Sequence, residues 1–196
     1  MRCCAVILLS IIAIASSPSD AAVIGFFSHE DGQTCDVDIE PYVSVDIYLL
    51  ISWWPFEFQE GVTGASFGTA NLPENLGYPT GFINEYWNSD NHWGDLHTEF
   101  SIFFDEPVGV GERYATLGRL EFLMFDPTWI GSHHQIIIVA GEDCWCLDVY
   151  DDIGNPVSVD GGWFTFNCNG DPCEYDCFPP PTPAREDSWS TVKALF

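Results

Sequence analysis

The stretch "ATLGRLEFLMF", residues 115–125, alternates with the period of two that a β-strand imposes. Leu117, Arg119, Glu121 and Leu123 fall on one face; Gly118, Leu120, Phe122 and Met124 fall on the other. The second set carries no charge and predicts the core face. "YVSVDIYLLI", residues 42–51, repeats the pattern, with Val43, Val45, Ile47 and Leu49 opposed to Ser44, Asp46 and Tyr48.

Working outward, alternation and β-branched or aromatic runs predict strands at 23–27, 43–53, 63–69, 100–104, 114–125, 135–139, 145–149 and 163–166. Turn signals punctuate them: "DGQ" at 31–33, "QEG" at 59–61, "NLPENLGYPTG" at 71–81, "EPVGVG" at 106–111 and "DIGNP" at 152–156. Many strands separated by turns, with almost no helical periodicity, predict an all-β fold with two packed sheets.

The ends of the chain read differently. "MRCCAVILLSIIAIASSPSDAA" opens with Arg2, then an apolar run to about Ala15, then small residues around Ser19 and Ala21. This is the pattern of a secretory signal peptide over residues 1–21, and its apolar run is about half the roughly 20 residues of a membrane span. Removal leaves about 175 residues, enough for one domain with a substantial core. The expected domain is 22–170, followed by a Cys- and Pro-rich linker at 171–184 and a tail peptide at 185–196. In that tail Asp187 or Ser188 can cap a short helix, with Trp189, Val192 and Leu195 or Phe196 at helical spacing. An apolar end beyond a stiff spacer suggests an address or docking peptide.

The formal charge is −25, and beyond the leader only Arg113, Arg119, Arg185 and Lys193 are basic. Such a chain is repelled by phosphate backbones and anionic lipid, so neither nucleic acid nor a membrane surface is an expected partner. Six cysteines remain: Cys35, Cys144, Cys146, Cys168, Cys173 and Cys177. An even count in an exported chain predicts disulfides. Cys144 and Cys146 are one residue apart. In an extended strand their Cα atoms would lie nearly 7 Å apart, about the limit for a disulfide, so each is expected to bond elsewhere. A structural zinc site draws on C-x₂₋₄-C knuckles, which C-x-C does not supply; Cys173 and Cys177 come nearer to that spacing.

Four landmarks in fixed order carry a resemblance. "GVTGASFG" (61–68), "ATLGRLEFLMF" (115–125), "LDVYDDIGNPVSV" (147–159) and "GGWFTFN" (161–167) are similar to strands and turns of cohesin-type modules and related bacterial carbohydrate-binding sandwiches. The resemblance covers about residues 23–168. It implies a jelly-roll sandwich of about nine strands. It also implies that Cys35, Cys144, Cys146 and Cys168 meet at one end of the sandwich and form two disulfides. Cys173 and Cys177, close together in the turn-rich "CEYDC", are expected to close a local loop. The "YWNSDNHW" segment and the cysteines depart from the cohesin pattern. "EDSWSTVKALF" (186–196) is similar to an end motif of secreted bacterial proteins carrying such sandwiches.

Two aromatic groups are candidate ligand contacts. The expected loop "INEYWNSDNHWGDLH" (83–97) holds Tyr86, Trp87, His92 and Trp93 among amides and carboxylates; "WWPFEF" (53–58) adds Trp53 and Trp54. Sugars stack their apolar faces on flat rings while their hydroxyls bond such polar groups. Equally, with aromatics at 15% of the chain, several must fill the core. Asp151, Asp152 and Asn155 offer oxygen ligands to calcium, but lack the EF-hand ladder and equally read as a β-turn. No other cofactor is expected. No G-x-S-x-G, H-E-x-x-H or P-loop is present, and a glycosidase would need two carboxyls about 5 Å or about 6.5–9.5 Å apart across a cleft. The sequence therefore predicts a secreted or extracytoplasmic, non-catalytic binding module for a protein or a glycan. A cell-surface structural component and a hydrolase are the alternatives.

Overall fold

The computed structural model describes residues 22–53, 58–73, 81–126 and 133–168. The proposed signal peptide, linker and helical tail lie outside the described residues, as do Trp54, Cys173 and Cys177.

The described residues form thirteen strands. They are β1 (Val23–Phe27), β2 (Asp36–Val37), β3 (Ser44–Ser52), β4 (Val62–Ala70), β5 (Gly81–Trp87), β6 (His92–Asp95), β7 (Glu99–Val108), β8 (Tyr114–Met124), β9 (His134–Val139), β10 (Asp148–Asp151), β11 (Pro156–Ser158), β12 (Asp160–Gly161) and β13 (Trp163–Phe166). One sheet has the order β12-β1-β3-β8-β5. The other runs β11-β10-β4-β9-β13-β2, with β7 also paired to β4 and β6 to β7. The expected two-sheet sandwich is thus what the chain builds, with more strands than the nine the resemblance implied. Much of the excess is short: β2 and β12 have two residues each and β11 three.

The alternation in residues 115–125 does what its pattern dictates. Leu120, Phe122 and Met124 are buried, and Arg119, Glu121 and Leu123 are not. The pattern slips once. Leu49 pairs with Gly118 but Leu50 pairs with Thr116, a bulge that leaves Leu117 as the extra residue. Leu117 is nevertheless buried, and its carbonyl accepts the Asn88 N–H at 3.0 Å. Between the layers Phe122 meets Phe166 at 5.3 Å, and within the eight-stranded sheet Phe67 meets its cross-strand partner Phe100 at 5.8 Å. Burying each such ring contributes about 2–3 kcal/mol before entropy is counted.

Four expectations are corrected. Residues 83–97 are not a loop: β5 and β6 occupy most of them, and Gly81–Trp87 pairs along its whole length with β8. Strand β7 continues to Val108, into the expected turn at 106–111. The strand expected at 145–149 begins at Asp148, because residues 142–144 form a turn. Finally, the four cysteines do not gather at one end. In the antiparallel β9–β13 pair Phe166 lies opposite His134, so Cys168 is beyond the start of β9, whereas Cys144 and Cys146 follow its end.

Candidate functional site

The predicted aromatic residues separate according to strand parity. Trp53 is buried and packs edge-on against Phe58 at 5.8 Å, as a core residue does. On β5, Trp87 turns inward and stacks on Phe100 of β7, centroids 4.2 Å apart and planes 29° from parallel. His92 joins them, 6.1 Å from Trp87 and 5.8 Å from Phe100. This trio bridges the two sheets. Tyr86, one residue earlier, points out of the five-stranded sheet. Trp93 points out of the eight-stranded sheet. The structure therefore does not bring Tyr86 and Trp93 into one site.

Around Tyr86 the outer face of the five-stranded sheet is a polar network. Arg119 lies 4.4 Å from the Tyr86 ring centroid and bonds Asp46 at 2.7 Å. Glu121 accepts three hydrogen bonds: from Ser44 Oγ (2.5 Å), Tyr86 Oη (3.0 Å) and Asn84 Nδ2 (3.2 Å). These bonds, Ser44's first, hold the Glu121 carboxyl below the usual range, and the Glu121 bond in turn pushes the Tyr86 phenol up. Toward one end the face turns apolar, with Tyr42 73% and Phe82 43% exposed, both against Phe125 at 5.4 and 5.6 Å.

The outer face of the eight-stranded sheet is of another kind. Trp93 pairs with Ser101, Ser101 with Ser66, and Ser66 with Asp148 across β6, β7, β4 and β10. One step along, Phe103, Gly64 and Tyr150 share a row. Since Phe100 and Ile102 are buried in the core, Ser101 and Phe103 must face outward. Trp93 stacks on Phe103 with centroids 5.1 Å apart and planes 14° from parallel, and Phe103 meets Tyr150 at 4.8 Å. Trp93 remains 55% exposed, so much of its indole is open to solvent. Ser66 and Ser101 point outward yet are buried, 2.7 Å apart, and Ser66 Oγ reaches Tyr150 Oη at 3.4 Å. Asp148 accepts the Ser158 hydroxyl at 2.9 Å. The result is an aromatic strip with rings from three strands, laid across four, with hydroxyls and carboxylates at its margins.

At one end of this face stands the C-x-C segment. Cys144 and Cys146 are disulfide-bonded to each other, which corrects the expectation that each would bond elsewhere. Trp145 takes φ +54°, so the segment is a turn and not a strand, and the Cα atoms close to 5.1 Å. Cys35 and Cys168 are also disulfide-bonded. Glu99, Cys144 and Cys146 place donor atoms within 4.8 Å of one another. With the sulfurs bonded together, no thiolate is available there to a metal.

The calcium candidate has the geometry of a turn. Asp151 accepts N–H bonds from Ile153 (3.1 Å), Asn155 (2.7 Å) and the Asn155 side chain (3.0 Å), and Gly154 takes φ +84°. Those donors, Asn155's backbone first, hold the Asp151 carboxyl down. Its oxygens are thus aimed at N–H groups, and Asp152 beside it is exposed.

Sequence reasoning missed Phe103 and Tyr150. The signal was present: in "EFSIFFDE" the parity that buries Phe100 and Ile102 puts Phe103 beside Ser101, and in "LDVYD" it puts Tyr150 outside buried Val149.

No family model and no curated protein matches the chain. Solved structures do. The sixth cohesin of Acetivibrio cellulolyticus scaffoldin B, solved in complex with a Cel5 dockerin mutant, is 15% identical over 75% of this chain and 98% of that one, with a TM-score of 0.40. The third cohesin of ScaC from the same organism, in complex with a ScaB dockerin, is 13% identical over 74% and 97%, with a TM-score of 0.42. A non-cellulosomal cohesin from Archaeoglobus fulgidus is 13% identical over 74% and 91%, with a TM-score of 0.36. The two-sheet β-sandwich of the described residues stands on its own strand pairing.

Proposed function

We propose that the chain is a secreted, non-catalytic binding module that takes a neutral glycan on the outer face of its eight-stranded sheet. The carrying observation is Trp93, 55% exposed and held flat against Phe103. Its neighbour limits its freedom while leaving indole surface open, so a sugar ring can stack with little further loss of side-chain entropy. Ser158 and Asp148 at one margin and Asp95 and Glu99 at the other offer bonds to hydroxyls. The acidic chain would repel sulfated or uronic sugars.

Export is supported by the leader-like residues 1–21 and by disulfide-bonded Cys35, Cys144, Cys146 and Cys168.

A protein partner is the second reading. It is favoured by the five-stranded sheet, where Tyr42 and Phe82 stand exposed about Phe125. A glycan array probed with the native chain, Trp93→Ala and the Tyr42→Ala/Phe82→Ala pair decides between the two faces. Binding to neutral glycans that is lost only with Trp93→Ala supports the first reading. An array without binding overturns it.

A further inference from the structure

We propose that the Cys144–Cys146 disulfide is a thiol-exchange site, reduced in the folded protein by a dithiol while the other bonded cysteines stay oxidised. The bridge spans a single residue and lies at the surface, with Cys144 exposed and Trp145 84% exposed. Trp145 is held at φ +54°, a left-handed conformation that bulky residues adopt rarely and at a cost. Opening the ring lets that residue relax, and exposed or strained disulfides are the readily exchanged ones.

Hydrogen bonds position the pair in its bonded form. The Trp145 N–H donates to Gly141 O at 2.9 Å, and the Gly141 N–H donates to Cys146 O at 2.8 Å. The Cys144 N–H donates to Glu99 Oε2 at 2.8 Å. The Cys146 N–H donates to Cys144 Sγ at 3.2 Å, so a charge developing on that sulfur finds a donor already aimed at it.

The chemistry follows. A thiolate of the dithiol attacks Cys146 Sγ; the bond to Cys144 breaks, and Cys144 leaves as a thiolate held by the Cys146 N–H. The dithiol's second sulfur, deprotonated, attacks its own sulfur in the mixed disulfide, and Cys146 leaves as a thiolate. Two electrons pass to the pair, the dithiol becomes a disulfide, and its two protons end on Cys144 and Cys146. A monothiol stops at the mixed disulfide, which nearby Cys144 reverses, because closing so short a loop is fast and local.

The test is differential alkylation with peptide mass spectrometry on the intact folded chain, titrated separately with dithiothreitol and with glutathione. The expected result is alkylation of Cys144 and Cys146 at roughly tenfold lower dithiothreitol than Cys35 and Cys168, with little alkylation in glutathione of equal thiol concentration. Trp145→Gly, which takes positive φ freely, is expected to raise the dithiothreitol needed by roughly five- to tenfold. Free thiols at Cys144 and Cys146 before reduction, or reduction of these two together with or after Cys35 and Cys168, overturns the proposal. Equal reduction by glutathione overturns the requirement for a dithiol.

Discussion

The Phe103 ring lies over Gly64 of the neighbouring strand, so close that a Cβ on Gly64 would come within 2.7 Å of Phe103 Cδ1 and 2.5 Å of Ile102 O. The second contact is with backbone, which cannot swing away as a flexible side chain can. Gly64→Ala is therefore expected to cost about 1–3 kcal/mol by overpacking and to shift the ring on which Trp93 rests. Thermal unfolding and tryptophan fluorescence read the two effects. An unchanged melting temperature and emission spectrum would show that the strip does not depend on the bare backbone at this position.

Trp87 and Trp93 lie six residues apart and are expected to respond differently to truncation. Trp87 stacks between the layers on Phe100 at 4.2 Å, so Trp87→Ala opens a cavity and is expected to cost about 3 kcal/mol. Trp93 is 55% exposed, so Trp93→Ala is expected to cost at most about 1 kcal/mol while removing glycan binding. Denaturant midpoints of the two variants check this. A Trp93→Ala loss as large as that of Trp87→Ala would mean that the exposed indole is a structural residue.

That contrast also marks how far the sequence could be read. Parity within a strand was legible wherever both faces differed sharply, as in residues 115–125, where charge and bulk alternate. Strand β5 escaped because its apolar residues come in adjacent pairs, Phe82–Ile83 and Tyr86–Trp87, so "FINEYW" shows no alternation; as an edge strand it leaves Phe82, Asn84, Glu85 and Tyr86 exposed. Without β5 and β6 recognised, nothing could show that Tyr86 and Trp93 leave the sandwich on different sheets. The C-x-C turn escaped for another reason. Extended geometry opposes a bond between Cys144 and Cys146, and the positive φ of Trp145, which no pattern in the sequence announces, removes the objection.

The Asp46–Arg119 bond is short, at 2.7 Å, but each side chain is 36% exposed. Water and salt screen such a pair, so a double-mutant cycle with Asp46→Asn and Arg119→Gln is expected to show coupling that is small and fades in molar salt. Arg119→Gln alone is expected to have the larger effect, because it also removes the cation from the Tyr86 ring. Coupling that is large and insensitive to salt would mean that the pair is shielded by something bound over this face.

His134 sets a pH dependence separate from that of the carboxyls. Burial, and after it the neighbouring His133, holds its pKa below the ordinary imidazole value. Above about pH 6.5 the ring is neutral in folded and unfolded chains alike, and stability does not depend on it. As the pH falls below that value the unfolded chain takes up the proton first, so stability drops, and the loss levels off once the folded ring is protonated too. Glu121 and Asp151 are also held down, so the stability they contribute is present above about pH 4.5 and is lost at lower pH. Unfolding midpoints measured from pH 8 to pH 3 are therefore expected to fall in two stages. His134→Gln, which keeps a polar side chain on β9, is expected to flatten the upper stage and leave the lower one. An upper stage that survives in His134→Gln would assign it to another of the histidines, of which the chain has five.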